Sequence, residues 1–228
     1  MKTFAFIFAR GGSKGLRRKN LLEIGGIPLI GHSILLAKEM NNIERVFLSS
    51  ESTEILSVAE RYGAEVIERP KRLATDRSEE WLSWQHAVKT ISNLGLNFDI
   101  FLSLPPTAPL RSEKDVCQCL ELFKDGDCDL VVTSTPAARN PHFNMISIDE
   151  KGYAQLLIDG TLYNRRQDAP KVLDLATVAY VTSPDFILHN KGIFDGNVKT
   201  LIIPKERAVD IDDKIDFLFA EALFNEKN

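Results

Sequence analysis

The residues best suited to chemistry lie in a short cationic stretch, ARGGSKGLRRKN (residues 9–20), directly after the apolar run FAFIF (4–8). Glycines let backbone N–H groups curl around an anion, and lysine and arginine supply positive charge. The stretch lacks the GxxxxGK[ST] and GxGxxG patterns of the common nucleotide-binding loops. We therefore expect a different loop that binds a phosphate or another small anion, the alternative being a solvated basic loop.

A second candidate site is the acidic stretch AVDIDDKID (208–216). In an extended chain Asp210 and Asp212 point to one side, while Ile211 points into the core. Two carboxylates at this spacing suit Mg²⁺, which prefers hard oxygen ligands. The alternative is that these acids only favour the N-terminus of the last helix, and we assign that capping role to Asp213.

Composition narrows the class of protein. The 228 residues suit one large domain, and a net charge of -4 argues against binding to nucleic acid or to an anionic membrane. The apolar run after Lys2 is too short for a signal peptide and leads straight into Arg10. Three cysteines form neither a disulfide set nor a zinc pattern. We expect a cytoplasmic protein with no membrane span.

Apolar runs and helical patterns alternate along the first 135 residues. Continuous apolarity indicates strands buried on both faces, and the runs cover 4–8, 45–50, 64–68, 98–104, 129–135, 175–182 and 198–204. Helices are predicted over 27–40, 52–63, 78–95, 112–126 and 213–226, with Ser78 and Ser112 as N-caps. This order predicts an α/β fold with a three-layer, mostly parallel sheet of nucleotidyltransferase (Rossmann-like) type.

The region 136–176 departs from that alternation. Strand-like MISID (145–149) and YAQLLID (153–159) flank a turn, which indicates a β-hairpin. We expect a single domain over 1–228 with 136–176 as an inserted β-rich segment.

The motifs resemble those of the CMP-sialic acid synthetases (acylneuraminate cytidylyltransferases). The cationic stretch matches their A-R-x-x-S-K-G-x-x-x-K-N pattern, and three later stretches resemble further family motifs in family order: ERPKRLATD (68–76), LPPTAPLR (104–111) and AVDIDDKID (208–216). The resemblance covers essentially the whole chain. It implies that CTP and a sialic-acid-like 2-keto-3-deoxy sugar acid react to give a CMP-sugar and pyrophosphate.

The resemblance also implies roles for individual residues. Catalysis is assigned to Lys19, Arg10 and Asp212, and Mg²⁺ (or Mn²⁺) to Asp210 and Asp212. The nucleotide-binding residues are Arg10, Gly12, Ser13, Lys14, Lys19, Asn20, Arg69, Glu80 and Arg111. The sugar-binding residues are Pro105, Thr107, Phe143, Arg166 and Tyr180. Arg111 has an alternative role in locking its loop, and Tyr180 in packing within a strand. The family also implies a homodimer in which the segment 136–176 helps complete the partner's sugar site.

Three positions depart from the family pattern. Glu80 stands where a serine is typical, Pro105 where a glutamine is usual, and Phe143 where a sugar-side lysine can stand. These differences leave the acceptor open among neuraminic, legionaminic, pseudaminic and Kdo-type acids. Two other functions remain alternatives: a nucleotidyltransferase for sugar 1-phosphates, and a non-catalytic nucleotide-binding homologue.

Overall fold

The computed structural model describes residues 1–12, 15–158, 163 and 165–227. The strands are β1 (Thr3–Phe8), β2 (Glu23–Ile24), β3 (Ile27–Pro28), β4 (Arg45–Ser50), β5 (Glu65–Glu68), β6 (Ile100–Ser103), β7 (Leu130–Pro136), β8 (Ile146–Ile148), β9 (Ala154–Leu156), β10 (Leu173–Thr182) and β11 (Val198–Ile202). The helices are α1 (Leu29–Glu39), α2 (Thr53–Arg61), α3 (Glu80–Asn93), α4 (Glu113–Lys124), α5 (Pro184–His189) and α6 (Lys214–Lys227).

Seven strands form the central sheet in the order β11-β7-β10-β6-β1-β4-β5. β1 pairs in parallel with β4 and β6, β4 with β5, and β11 with β7. β10 is the exception, since it runs antiparallel between β6 and β7. Each strand predicted for the sheet from an apolar run is present, and the prediction of a mostly parallel sheet is confirmed.

Helices cover both faces of the sheet, so the fold has three layers. Alternate residues of β1 serve opposite faces: Ala5 and Ile7 pack in a core that includes residues of α1, α2 and α4. Phe4 and Phe6 pack in a second core with residues of α3 and α5. Burial on both faces explains why β1 is continuously apolar rather than alternating.

Of the two predicted serine caps, Ser112 is confirmed and Ser78 is wrong, and Ser52 is a further cap. Ser52 Oγ accepts a hydrogen bond from Ile55 N–H at the start of α2, and Ser112 forms a capping box with Asp115 at the start of α4. The N-cap position of α3 is Glu79, with no side-chain cap, because Ser78 Oγ donates instead to the carbonyl of Arg72. No helix in the described part of the chain is long and apolar enough to span a membrane.

The hairpin predicted within 136–176 is formed by β8 and β9, which pair antiparallel as a separate two-stranded sheet. Pro136 and residues 173–176 belong to β7 and β10, where Leu173 pairs with Pro136. The chain therefore leaves the main sheet between residues 137 and 172.

A buried ion pair holds the segment that precedes the acidic stretch. Asp115 is 1% exposed, and its carboxylate accepts hydrogen bonds from Arg207 Nε (2.8 Å) and Nη2 (2.9 Å) and from Ser112 Oγ (2.7 Å). Burial alone would raise the pKa of Asp115, but the hydrogen bonds from Arg207 and Ser112 outweigh it and hold the pKa below its ordinary value. The pair ties α4 to the chain just before Asp210.

We expect Asp115→Asn to lower the free energy of unfolding at neutral pH by about 2–3 kcal/mol, because Arg207 loses its charged acceptor. A lowered folded-state pKa contributes stability above the unfolded-state value of about 3.9, and that stability is lost as pH falls through the folded-state pKa. Urea denaturation at several pH values measures the gap in the free energy of unfolding between Asp115→Asn and the unmodified protein. This gap should narrow below about pH 4. Asp127→Asn, at an exposed ion pair with Lys199, is the control; a gap for Asp115→Asn that stays constant with pH would contradict the assignment.

Candidate active site

A cleft of about 620 Å³ opens at the edge of the sheet where the parallel strands end. β1 ends at Phe8, β5 ends one residue before Arg69 and β6 ends two residues before Pro105, and these three residues line the cleft. Ligands of open α/β sheets bind at this edge. Nine residues singled out from the sequence line the same cleft: Arg10, Lys19, Asn20, Arg69, Glu80, Pro105, Thr107, Tyr180 and Asp212.

The cationic loop forms one wall of the cleft. Asn20 is 6% exposed and its Nδ2 donates to the carbonyl of Arg10 (3.0 Å), which fixes the start of the loop against its end. Arg10 Nη1 lies 2.8 Å from Asp76 Oδ1 on the opposite side. Gly12 is exposed and does not line the cleft. Ser13 and Lys14 lie outside the described residues.

The loop contacts the acidic stretch closely. Lys19 Nζ lies 2.9 Å from Asp212 Oδ1, although the two residues are 193 positions apart in the chain. A Cβ atom at Gly15 would lie 2.3 Å from the carbonyl oxygen of Asp212, so only glycine permits this approach. The lysine is mostly buried at 15% exposure, whereas the Asp212 side chain is 76% exposed.

The chemistry of Asp210 and Asp212 fits a divalent cation. Oδ1 of Asp210 is buried without a hydrogen bond within the described part of the chain. Burial raises the pKa of the Asp210 carboxyl, and the charge of Asp212 adds to this, whereas Thr107 and Lys19 oppose it. The described residues contain no group of three or more acidic, histidine or cysteine ligands. Two carboxylates nevertheless suffice for Mg²⁺, which commonly takes its remaining ligands from water and substrate phosphates.

Arg69 is held rigidly in the floor of the cleft. It is 5% exposed, and its guanidinium donates to Ser83 Oγ (3.1 Å), to the carbonyl of Ala9 (3.3 Å) and to Glu51 Oε2 (3.2 Å). Glu51 Oε1 also accepts from Gly11 N–H (2.7 Å). One carboxylate thus positions both the arginine and the cationic loop. Our sequence analysis missed Glu51, although its place directly after β4 at the ligand-binding edge was a usable signal.

Glu80 lies in the cleft lining at the first residue of α3. Its Oε1 accepts a hydrogen bond from Trp84 Nε1 (3.1 Å). Desolvation by the surrounding protein raises the pKa of Glu80, while the Trp84 hydrogen bond and the charge of Arg69 oppose the rise.

The strands β6 and β10 supply the other side of the cleft, with Pro105 and Thr107 after β6 and Tyr180 on β10. Tyr180 is 7% exposed, its ring packs 5.5 Å from that of Trp84, and burial raises the pKa of its hydroxyl. It therefore packs in the core and also reaches the cleft, so the two roles considered from the sequence are compatible.

Arg111, predicted to bind nucleotide or to lock its loop, is buried outside the cleft lining. It donates to Ser33 Oγ (2.7 Å) and to the carbonyl of Pro105. Burial lowers its pKa to about 9, opposed by Asp210 and Asp115, so the guanidinium stays charged at neutral pH. These contacts favour the loop-locking alternative.

One predicted sugar residue, Phe143, lies apart from the described lining, and the side chain of another, Arg166, is not described. Phe143 is half-buried in the turn between Asn140 and Asn144, outside the described lining of the cleft. Arg166 begins a short 3₁₀ helix, Arg166–Asp168, and its side chain lies outside the described part of the structure.

We expect Gly15→Ala to weaken binding of inorganic triphosphate about tenfold, because its Cβ would push the loop away from Asp212. Gly192→Ala, outside the cleft lining, is the control, since a Cβ there meets nothing within 4 Å, and it should change the dissociation constant less than about twofold. Isothermal titration calorimetry checks both variants, and equal affinities for the two would contradict the close-approach argument.

Comparison with known proteins agrees with this geometry. Residues 4–194 match the family model described as "Cytidylyltransferase". The chain is 34% identical over 224 residues to the post-translational flagellin modification protein B of Campylobacter coli and, over the same length, to the CMP-N,N'-diacetyllegionaminic acid synthase of Campylobacter jejuni; each match covers 97% of this chain and 94% of the relative. The pseudaminic acid cytidylyltransferase of Campylobacter jejuni strain 81-176 is 30% identical, over 98% of this chain and 97% of its own.

Solved structures share the fold. A CMP:2-keto-3-deoxy-manno-octonic acid synthetase complexed with CTP superposes with a TM-score of 0.74 at 16% identity, covering all of both chains. A 4-diphosphocytidyl-2C-methyl-D-erythritol synthase from Anaerococcus prevotii gives a TM-score of 0.67 at 15% identity, covering 98% of each chain. The family match and the full-length relatives lead to one conclusion: this chain belongs to the cytidylyltransferase family.

Proposed function

We propose that the protein transfers CMP from CTP to a sialic-acid-like 2-keto-3-deoxy sugar acid and releases pyrophosphate. The observation that carries the proposal is the meeting of Arg10, Lys19 and Asp212 in one cleft at the ligand-binding edge of the sheet. The legionaminic and pseudaminic acid enzymes among its full-length relatives support this class of acceptor.

The reaction needs positioning and charge neutralisation more than covalent chemistry. The anomeric hydroxyl oxygen of the sugar attacks the α-phosphorus in line and forms the new P–O bond. The bond from that phosphorus to the bridging oxygen breaks, pyrophosphate leaves, and the hydroxyl proton is released. Arg10 and Lys19 stabilise the negative charge on the phosphates, with Gly12, Ser13, Lys14 and Asn20 completing the cradle.

Asp210 and Asp212 are the residues that would hold the metal, Mg²⁺ or Mn²⁺. When bound, a divalent cation supplies positive charge to the phosphate oxygens and helps the pyrophosphate to leave. The buried, unpartnered oxygen of Asp210 and its raised pKa support this role, because a nearby cation would favour the ionised carboxylate. Lys19, which lies 2.9 Å from Asp212, would then be available to phosphate.

The two sides of the cleft suit the two substrates. Arg69 and Glu80, beyond β5, are assigned to the cytidine end, where fixed donors and an acceptor can read a base edge. Pro105, Thr107 and Tyr180 are assigned to the sugar end beside β6 and β10. Transfer of CMP would then take place between the two ends of the cleft, above the end of β1.

We further propose a homodimer formed through the hairpin β8–β9 and its flanks. This region exposes apolar side chains together: Ile148 is 69% and Tyr153 71% exposed, with Ile146, Leu157 and Ile158 alongside in sequence. Exposed apolar side chains concentrated on one hairpin are typical of an interaction site. A partner's segment would bring Phe143 and Arg166 towards a sugar site that the single chain leaves open.

The reaction is tested by incubating the protein with CTP, Mg²⁺ and separate keto-acid sugars and detecting CMP-sugar by mass spectrometry. We expect product with one or a few nine-carbon acids. Lys19→Met should lower kcat about 100-fold or more, because it removes charge from the reacting phosphates. Lys89→Met, at an exposed position on α3, is the control and should retain full activity. Equal activity of the two variants would contradict the role of Lys19.

The dimer is tested by light scattering. Ile146→Asp combined with Ile148→Asp should give a monomer, because two charges would be buried in the interface, and should raise KM for the sugar more than for CTP. Ile215→Asp, at a 76% exposed site on α6, is the control and should leave the dimer intact. An unmodified protein that is monomeric and fully active would show the proposal to be wrong.

A further inference from the structure

The carboxylate of Asp76 lies where a phosphate would be expected. Its Oδ1 is 2.8 Å from Arg10 Nη1, and both residues line the cleft. Asp76 is the last residue of the ERPKRLATD motif. Arg69 of that motif has a role in the proposed function, whereas Asp76 has none. A carboxylate and a phosphate offer a guanidinium the same kind of acceptor, and arginine pairs well with both.

The chain around Asp76 is a compact turn with its own hydrogen bonds. Ser78 Oγ donates to the carbonyl of Arg72 (2.7 Å) and lies 2.7 Å from Thr75 Oγ1. The backbone N–H of Leu73 donates to the carbonyl of Pro70 (2.8 Å). We call residues 71–78 the Asp76 segment. The Arg10–Asp76 pair ties this segment across the cleft to the cationic loop, and the internal bonds allow the segment to keep its shape if that tie breaks.

We propose that Asp76 stands in for nucleotide phosphate at Arg10 when no nucleotide is bound and is displaced when the triphosphate binds. This inference rests on the proposed function for the identity of the nucleotide. A triphosphate that approaches Arg10 brings several negative charges close to the carboxylate, and like charges at that distance repel. Exchange of the acceptor keeps Arg10 paired and breaks the Arg10–Asp76 contact.

Exposure sets the size of the effect. The side chains of Arg10 and Asp76 are 37% and 47% exposed, so solvent screens their attraction. Removing the competing carboxylate should therefore strengthen triphosphate binding by about two- to fivefold. A purely structural role for Asp76 predicts the opposite sign, because loss of a structural contact weakens binding.

Asp76→Asn tests this inference, with Glu65→Gln as the matched control. Glu65 pairs with Arg45 at 2.8 Å on β4 and β5, at exposures of 46% and 33%, and neither residue lines the cleft. Isothermal titration calorimetry with CTP and with inorganic triphosphate gives the dissociation constants. We expect Asp76→Asn to bind both ligands about two- to fivefold more tightly than the unmodified protein at low salt. The gain should shrink at about 1 M salt, where the Debye length is about 3 Å.

Glu65→Gln should leave both dissociation constants unchanged, and Asp76→Glu should restore the affinity of the unmodified protein. Equal or weaker triphosphate binding by Asp76→Asn would overturn the exchange and show that Asp76 orients Arg10 instead. Asp76→Ser serves as a second variant if Asp76→Asn is poorly folded. If the unmodified protein binds triphosphate but not CTP, the proposed function fails while the triphosphate comparison still decides the role of Asp76. If neither ligand binds, both are wrong.

Discussion

The constraint on which the site depends is the close approach of Gly15 to the backbone of Asp212. The cationic loop and the acidic stretch lie far apart in the sequence. The like charges within each segment repel one another unless the other segment is close. Contact between them puts Lys19 and Asp212 at 2.9 Å. Asp115 and Arg207 then hold the acidic stretch from behind, so that a buried ion pair supports a partly exposed one.

Pairing of opposite charges recurs throughout the cleft. Arg69 is balanced by Glu51, Arg10 by Asp76 and Lys19 by Asp212. Such pairing lets a cleft hold several cations close together without a ligand present. The pairs differ in burial: the Arg69–Glu51 pair is mostly buried, whereas Asp76 and Asp212, which face Arg10 and Lys19, are 47% and 76% exposed. The cleft is therefore rigid at its floor and adaptable where phosphate is expected.

Local sequence was sufficient for the strands of the main sheet and for five helices, but not for β2, β3 and α5. Continuous apolar runs identified the seven strands of the main sheet, and Ser52 and Ser112 marked helix starts because their caps involve neighbours three residues away. Ser78 looked the same in sequence but turns back to Arg72. The site was predictable only where a motif identified it. Three features depend on contacts between distant segments: the role of Glu51, the pairing of Arg10 with Asp76 and the burial of Arg111. Neither periodicity nor capping carries that information.

The long separation between Lys19 and Asp212 also bears on synthesis of the chain. Ribosomes add about 5–20 residues per second, so the two halves of the site emerge about 10–40 s apart. During that interval the loop has its cations but lacks the acidic stretch against which Gly15 packs. The nascent protein can assemble β1, β4 and β5 early, yet its phosphate site is completed only after Asp212 has left the ribosome.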